Sequence, residues 1–375
     1  MCKFICSLFA FATYSIYMTY IKGFNGLRAV SIIFVLLTHL GLYQLLAGHP
    51  FLQKNYNLFS GTTGVMIFFT ISGFLITLLL LREKKNHGKI NLKFFFIRRF
   101  LRLLPPLLIF YLAIVLLMLF NFLPHRYLDV LISFFYLYNF VPYNHYMLEL
   151  GHTWSLSLEE QFYLLWPFIV NRTKTLNTIC IFSLCIIACC IIGNILYPLP
   201  IYFNGKPHFL TNYFYVERWF IPACLPIMIG SLSGVILFKN EVYLKEKFHK
   251  KYMLLLLSLS LFFVQLIIPG LPANYIKIAQ PLGIAFLLLW VYNNQNSYLV
   301  NFMELKPIAF IGKISYGIYV FQGLFLTTGP GGALTIQHFP LNIILTLLSA
   351  IISYFLIEKR VLKYKDKFKL NIPVN

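Results

Sequence analysis

Long apolar runs recur along this chain, separated by short breaks rich in lysine and arginine. A run long enough to cross hydrocarbon limits a fold more than any single motif does. After Lys22 the runs fall at about 27–47, 62–81, 103–121, 155–170, 177–197, 219–238, 252–269, 274–292, 308–326 and 339–357. A bilayer core is ~30 Å thick and takes about 20 helical residues to cross. Backbone inside it must satisfy its own hydrogen bonds, which a helix does. The expectation is an all-α, polytopic transmembrane helix bundle of about ten spans. Only 11% of residues are charged, against ~25% in soluble chains, so a soluble globular fold is excluded.

The loop charges orient the bundle. Loop 82–102 carries eight Lys/Arg, loop 239–251 five and loop 171–176 two, and residues 359–369 carry six more. With ten spans, all four segments fall on one side, which the positive-inside bias makes cytoplasmic. The net charge of +20 then reads as topology and not as nucleic-acid binding. The apolar run 128–142 breaks this pattern if counted as a span, so it is expected to be interfacial or re-entrant on the outer side. Residues 1–21 are an apolar N-terminal segment: signal-like, interfacial or an extra helix. Residues 22–360 read as one membrane domain and 361–375 as a basic cytoplasmic tail. Cys180, Cys185, Cys189 and Cys190 lie in one apolar run, where Cys behaves as a small hydrophobe.

The first run holds Arg28 and His39. Eleven residues on a helix place them within ~20° of one face and ~16 Å apart. If Arg28 marks the inner boundary, His39 lies near mid-membrane, where an ionisable residue is a functional candidate. A histidine that only joins two helices by a hydrogen bond is the competing reading.

Other stretches bear chemistry more weakly. Arg98, Arg99 and Arg102 precede Pro105 and Pro106. Arg99 and Arg102 share a helical face, and Arg suits phosphate oxygens; anchoring to anionic headgroups is the alternative. Ile71, Ser72, Gly73 and Phe74 permit close helix approach. Thr153 or Ser155 starts a helix that carries Glu159 and Glu160 toward Trp166 and Pro167, in a chain with only eleven acids. Lys313, Ser315, Tyr316 and Tyr319 open a late span.

Together these stretches resemble the integral-membrane acyltransferase-3 family, which includes O-antigen and other cell-envelope polysaccharide O-acetylases. The resemblance rests on Arg28 with His39, on Ile71 to Phe74, and on Arg98, Arg99, Arg102 and Pro105. It rests further on Trp154 to Tyr163 with Glu159 as the acid, and on Ser315, Tyr316 and Tyr319, in order from about residue 23 to 360. Two departures stand out: Gln322 occupies a position where many members have His, and Glu358 is followed by Lys359 and Arg360 without the usual Pro. The soluble hydrolase-like domain of some members is also not present, so any second step is expected to need a partner protein.

The resemblance implies transfer of an acyl group, usually acetyl, from cytosolic acyl-CoA to a carbohydrate hydroxyl on a lipid-linked or envelope glycan. Acetyl-CoA acts as co-substrate, with no permanently bound cofactor and no metal. His39, Arg28 and Glu159 become the catalytic candidates, with His39 as base, at an ordinary pKa of ~6.5, or as acyl relay. Arg98, Arg99, Arg102 and Ser72 become candidates for the donor, and Trp154, Ser155, Tyr163 and Tyr316 for the acceptor. The expected location is the cytoplasmic membrane, in contact with lipid. The alternative is a transporter or flippase for a lipid-linked sugar, against which the absence of internal symmetry argues.

Overall fold

The computed structural model describes residues 20–46, 48–196, 202–203, 206–207, 213–248, 252–326 and 334–361. The N-terminal apolar run up to residue 19, Lys250, Lys251, residues 327–333 and the tail from residue 362 lie outside these. The described part is helical apart from a two-residue antiparallel pairing of Tyr202–Phe203 with Lys206–Pro207. The principal helices are α1 (Phe24–His39), α2 (Gly61–His87), α3 (Leu92–Leu119), α4 (Thr153–Arg172), α5 (Leu176–Leu196), α6 (Leu225–Lys239), α7 (Met253–Phe262), α8 (Ala273–Asn293), α9 (Lys306–Phe325) and α10 (Leu341–Ser353).

Six helices among the described residues are long and apolar enough to cross a membrane: α2, α3, α5, α8, α9 and α10 with its extension to Val361. The expected figure of about ten includes shorter pieces. Helices α1, α6 and α7 have 16, 15 and 10 residues, and α4 carries Glu159, Glu160 and Arg172. The run 128–142 holds an eight-residue helix, Tyr127–Phe134, followed by single 3₁₀ turns, far short of a span.

Two boundaries differ from the sequence expectation, and both matter for the site. The first apolar run is not one helix over 27–47. It stops at His39, because Gly41 takes a φ of 79°. The Thr38 hydroxyl oxygen accepts hydrogen bonds from the Gly61 N–H at 2.6 Å and from Tyr56 Oη at 2.9 Å, which ties this end of α1 to the start of α2. The expected basic loop 82–102 shrinks to a turn. Helix α2 runs to His87, and Asn91 caps α3 by accepting from Phe94 N–H at 3.0 Å. Arg98, Arg99 and Arg102 therefore sit in the second and third turns of a helix.

Helix α2 is the hub. It runs antiparallel to α1, with Ser31 Oγ donating to the Gly64 carbonyl. It runs parallel to α4: Trp166 Nε1 donates to Thr77 Oγ1 at 2.7 Å, and Lys84 Nζ reaches the carbonyls of Val170, Asn171 and Thr173 at the end of α4. Against α6 the backbones almost touch. A Cβ on Gly73 would lie 1.9 Å from the Ile227 carbonyl oxygen, and one on Gly230 would lie 2.1 Å from that of Thr70. Small residues permit such a crossing, as is common between membrane helices. Helices α3 and α9 close the other side through Ile32, Phe110 and Ile318, all fully buried. Helix α5 lies outermost, with Ile181, Phe182, Leu184 and Ile192 exposed.

Candidate functional site

Helices α1, α2, α3, α4 and α9 enclose a cavity of about 130 Å³. Their spacing explains who faces it. Ser155, Glu159 and Tyr163 repeat every four residues on α4, while Arg99 and Arg102 are three apart on α3, so each set lies on one helical face. Arg28 comes from α1, Ser72 from α2, and Lys313, Ser315, Tyr316 and Tyr319 from α9.

One carboxylate organises the polar wall. Glu159 Oε1 accepts from Ser72 Oγ and from Tyr163 Oη. The Arg99 guanidinium carbon lies 3.9 Å from the centre of the Tyr163 ring. Arg102 lies within electrostatic reach of Arg99, Glu159 and Glu358. Glu358 is buried, accepts from Ser353 Oγ at 3.1 Å, and closes on the chain near Gly317. Arg28 Nη1 donates to Asn25 Oδ1 at 3.3 Å. Tyr316 Oη donates to the Leu103 carbonyl at 2.9 Å, fixing α9 on α3. At the other end of the cavity the Tyr319 and Ser155 hydroxyls meet at 2.5 Å.

Four cations line this cavity, Arg28, Arg99, Arg102 and Lys313, with Glu159 as the one acid in the lining. Among the described residues no carboxylate comes within 4.0 Å of Arg28, Arg99 or Arg102. Guanidinium groups removed from bulk water and short of counter-charge make a site for anionic oxygens. No group of His, Cys, Asp and Glu suited to a metal occurs among the described residues.

Eight of the eleven sequence candidates therefore come together: Arg28, Ser72, Arg99, Arg102, Ser155, Glu159, Tyr163 and Tyr316. Three do not line the cavity. Arg98 points elsewhere and pairs with Glu83 at 3.1 Å. Trp154 packs edge-on against Phe69, 6.2 Å between centroids, with the Arg218 guanidinium 5.5 Å from its ring. His39 is the last residue of α1 and half-buried, so it is neither mid-helix nor in the wall with Arg28. The spacing also gave no role to Lys313 or Tyr319, whose signal was the i, i+3 and i, i+4 pattern around Tyr316 and Ser315. Glu358 was legible only as the last acid of the final run.

The acyltransferase-domain family profile matches residues 21–358. The chain is 30% identical over 380 aligned positions to O-acetyltransferase OatA of Staphylococcus aureus (strain NCTC 8325 / PS 47), covering 92% of this chain and 57% of that protein. It is 28% identical over 327 positions to peptidoglycan O-acetyltransferase OatA of Listeria monocytogenes, covering 81% of this chain and 49% of that one. The chain thus spans about half the length of these relatives. No solved structure matches it.

Proposed function

The chain belongs to the acyltransferase family whose profile it matches over residues 21–358, and from that premise we propose that it is a membrane O-acetyltransferase. It moves an acetyl group from acetyl-CoA on the cytoplasmic side to a hydroxyl of an envelope carbohydrate. The names of its relatives support the class of reaction and acceptor. The cavity supports the donor, and one observation carries that part: Arg28, Arg99, Arg102 and Lys313 face a common space with a single lining acid. A CoA thioester brings phosphates to such a wall, and its carbonyl oxygen becomes negative as the hydroxyl attacks. Fixed guanidinium donors stabilise that charge most where water is excluded.

In the reaction the hydroxyl oxygen bonds to the acyl carbon, the C–S bond breaks, and CoA leaves as thiolate beside the arginines. The hydroxyl proton must go to a base. His39, the half-buried last residue of α1, takes that part as base or as acyl relay. Glu159, held by Ser72 and Tyr163, keeps the Tyr163 ring under Arg99 and so holds that guanidinium toward the thioester.

Transfer of label from acetyl-CoA to a glycan acceptor, followed in membranes carrying the full chain, tests the reading. Arg99→Ala and His39→Ala proteins of normal abundance are expected to lose transfer. Full activity in both removes the proposal, and glycan movement without any thioester requirement favours the transporter instead.

A further inference from the structure

A second cavity, of about 190 Å³, opens at the basic end of the bundle, where the turn from α4 to α5 packs on α2 and α6. Its lining is of two kinds. Lys84 and Lys85 reach it from α2 and Lys174 from the turn, while Leu81, Ile179 and Phe238 give it apolar walls from α2, α5 and α6. Among the described residues no acid lines it. The three ammonium groups are held differently. Lys84 Nζ donates to the carbonyls of Val170 and Asn171 at 2.7 and 3.0 Å and to that of Thr173, so its charge is fixed at the end of α4. Lys85 holds Nζ 5.8 Å from the centre of the Phe238 ring, against an apolar wall. Lys85 and Lys174 are exposed, and among the described residues no carboxylate comes within 4.0 Å of either. The acids nearest in sequence to the α2 and α6 walls are engaged elsewhere, Glu83 with Arg98 at 3.1 Å and Glu241 with Lys245 at 3.0 Å. Beside the cavity, Lys239 Nζ donates to Asn177 Oδ1 at 2.9 Å, which brings a fourth cation to the start of α5.

Cations gathered in a concave site without counter-charge attract an anion, and the first turn of the 21-residue helix α5 adds its partial positive charge. A small soluble anion has no use for an apolar wall. Here Leu81, Ile179 and Phe238 lie directly against the lysines. The flank of α5 further along is apolar too, with Ile181, Phe182 and Leu184 exposed, and in a membrane such a flank meets acyl chains. A phospholipid pairs the same two features, a phosphate at the interface and hydrocarbon beneath it. Basic pockets between membrane helices take anionic head groups in this way. A zwitterionic head would bring its own ammonium to the lysines, so the lining favours a lipid with net negative charge.

We propose that the cavity between α2, α6 and the α4–α5 turn holds the head group of an anionic phospholipid. Lys85 and Lys174 meet the phosphate, and an acyl chain runs past Phe238 onto the exposed flank of α5. Lys84 has spent its donors on carbonyls and contributes its charge alone. The lipid binds and leaves unchanged, so the site does not depend on the acetyl-transfer reading and extends beyond it.

Titration of the full chain in detergent with phosphatidylglycerol, read by native mass spectrometry and by the unfolding midpoint, tests the site. Phosphatidylglycerol should bind saturably and raise the midpoint, as a ligand of the folded state does. Phosphatidylcholine with the same chains should do neither, a comparison that needs no variant. Lys85→Gln combined with Lys174→Gln should bind phosphatidylglycerol ~30-fold more weakly, the loss expected for two lysines at a charged membrane surface. Lys89→Gln combined with Lys93→Gln removes the same charge from exposed positions in the turn from α2 to α3, outside the lining, and should bind as the wild type does. Wild-type affinity in the Lys85 and Lys174 variant overturns the site. Equal weakening in both double variants, or equal binding of the two lipids, overturns it in favour of diffuse attraction to a basic surface. Displacement of the lipid by inorganic phosphate or by acetyl-CoA overturns the lipid assignment in favour of a soluble phosphate.

Discussion

Arg99 holds its guanidinium over Tyr163, its central carbon 3.9 Å from the ring centre, while the hydroxyl of that ring is spent on Glu159. The cation is thus aimed by an aromatic face and not by a carboxylate, which leaves its N–H groups for a ligand. A cation over a desolvated ring gains ~2 kcal/mol, and the planar fork matters as much as the charge. Arg99→Ala is expected to lower acetyl transfer by ~10²–10³-fold, the usual loss for one donor to a developing oxyanion. Arg99→Lys should recover little of it, since an ammonium neither stacks nor forks. Initial rates at saturating acceptor check both.

The same residue shows what was legible in the sequence. Spacing placed Arg99 and Arg102 on one face, and both reach the cavity. Arg98, ~100° away around the helix, turns to Glu83 instead, although a motif lumps all three. Trp154 and Ser155 part company for the same reason. The first helix was read too long because helical periodicity carries no information about where a helix stops. The stop is set by Gly41 in left-handed backbone, and Gly61 and Tyr56, remote in sequence, tie Thr38 to the start of α2.

The crossing of α2 and α6 sets the shape of the wall that carries Ser72. Gly73→Ala and Gly230→Ala each drive a methyl group into backbone, at 1.9 and 2.1 Å from a carbonyl oxygen. Overpacking usually costs ~1–3 kcal/mol, and backbone cannot rotate away as a side chain can, so the upper end or more is expected. Gly48→Ala meets open space and serves as the control. Thermal unfolding in detergent should show a lower midpoint for the first two and none for the third. Gly73→Ala should also lower transfer, through its neighbour Ser72.

Outside the bundle, Glu241 joins α2 to α8. Its carboxylate accepts from Tyr292 Oη at 2.7 Å and Lys245 Nζ at 3.0 Å, and lies 3.9 Å from Arg82. Burial by itself would raise its pKa, but the Tyr292 and Lys245 hydrogen bonds and the Lys245 and Arg82 charges outweigh it and hold the group below its ordinary value. A depressed carboxyl stabilises the fold fully above the unfolded value of ~4.3 and loses that contribution as pH falls through the folded value. Acid below about pH 4 should therefore lower the unfolding midpoint of the wild type. Glu241→Gln should be less stable at neutral pH and should lack this part of the acid dependence.

Glu159 receives two hydroxyls on one oxygen, from Ser72 of α2 and Tyr163 of α4. Each hydroxyl lowers the cost of a carboxylate in this half-buried position, and together they fix its rotamer beneath Arg99. Losing either should leave the other able to hold the group, so Ser72→Ala and Tyr163→Phe should each reduce transfer modestly, by about 3–10-fold for a hydrogen bond worth ~1 kcal/mol. Losing both frees the carboxylate to swing toward the nearby guanidinium groups, where an ion pair would quench the anion site. The double variant should therefore fall well below the product of the single effects, the signature of groups that share a partner. Glu159→Gln keeps the shape and removes the charge. It should raise the affinity of the cavity for anionic donors while lowering the transfer rate, a split that parallel measurements of KM for acetyl-CoA and of kcat would read directly. Strict additivity of the two hydroxyl deletions would mean that they act on different things, and that Glu159 is not the point where α2 and α4 meet the chemistry.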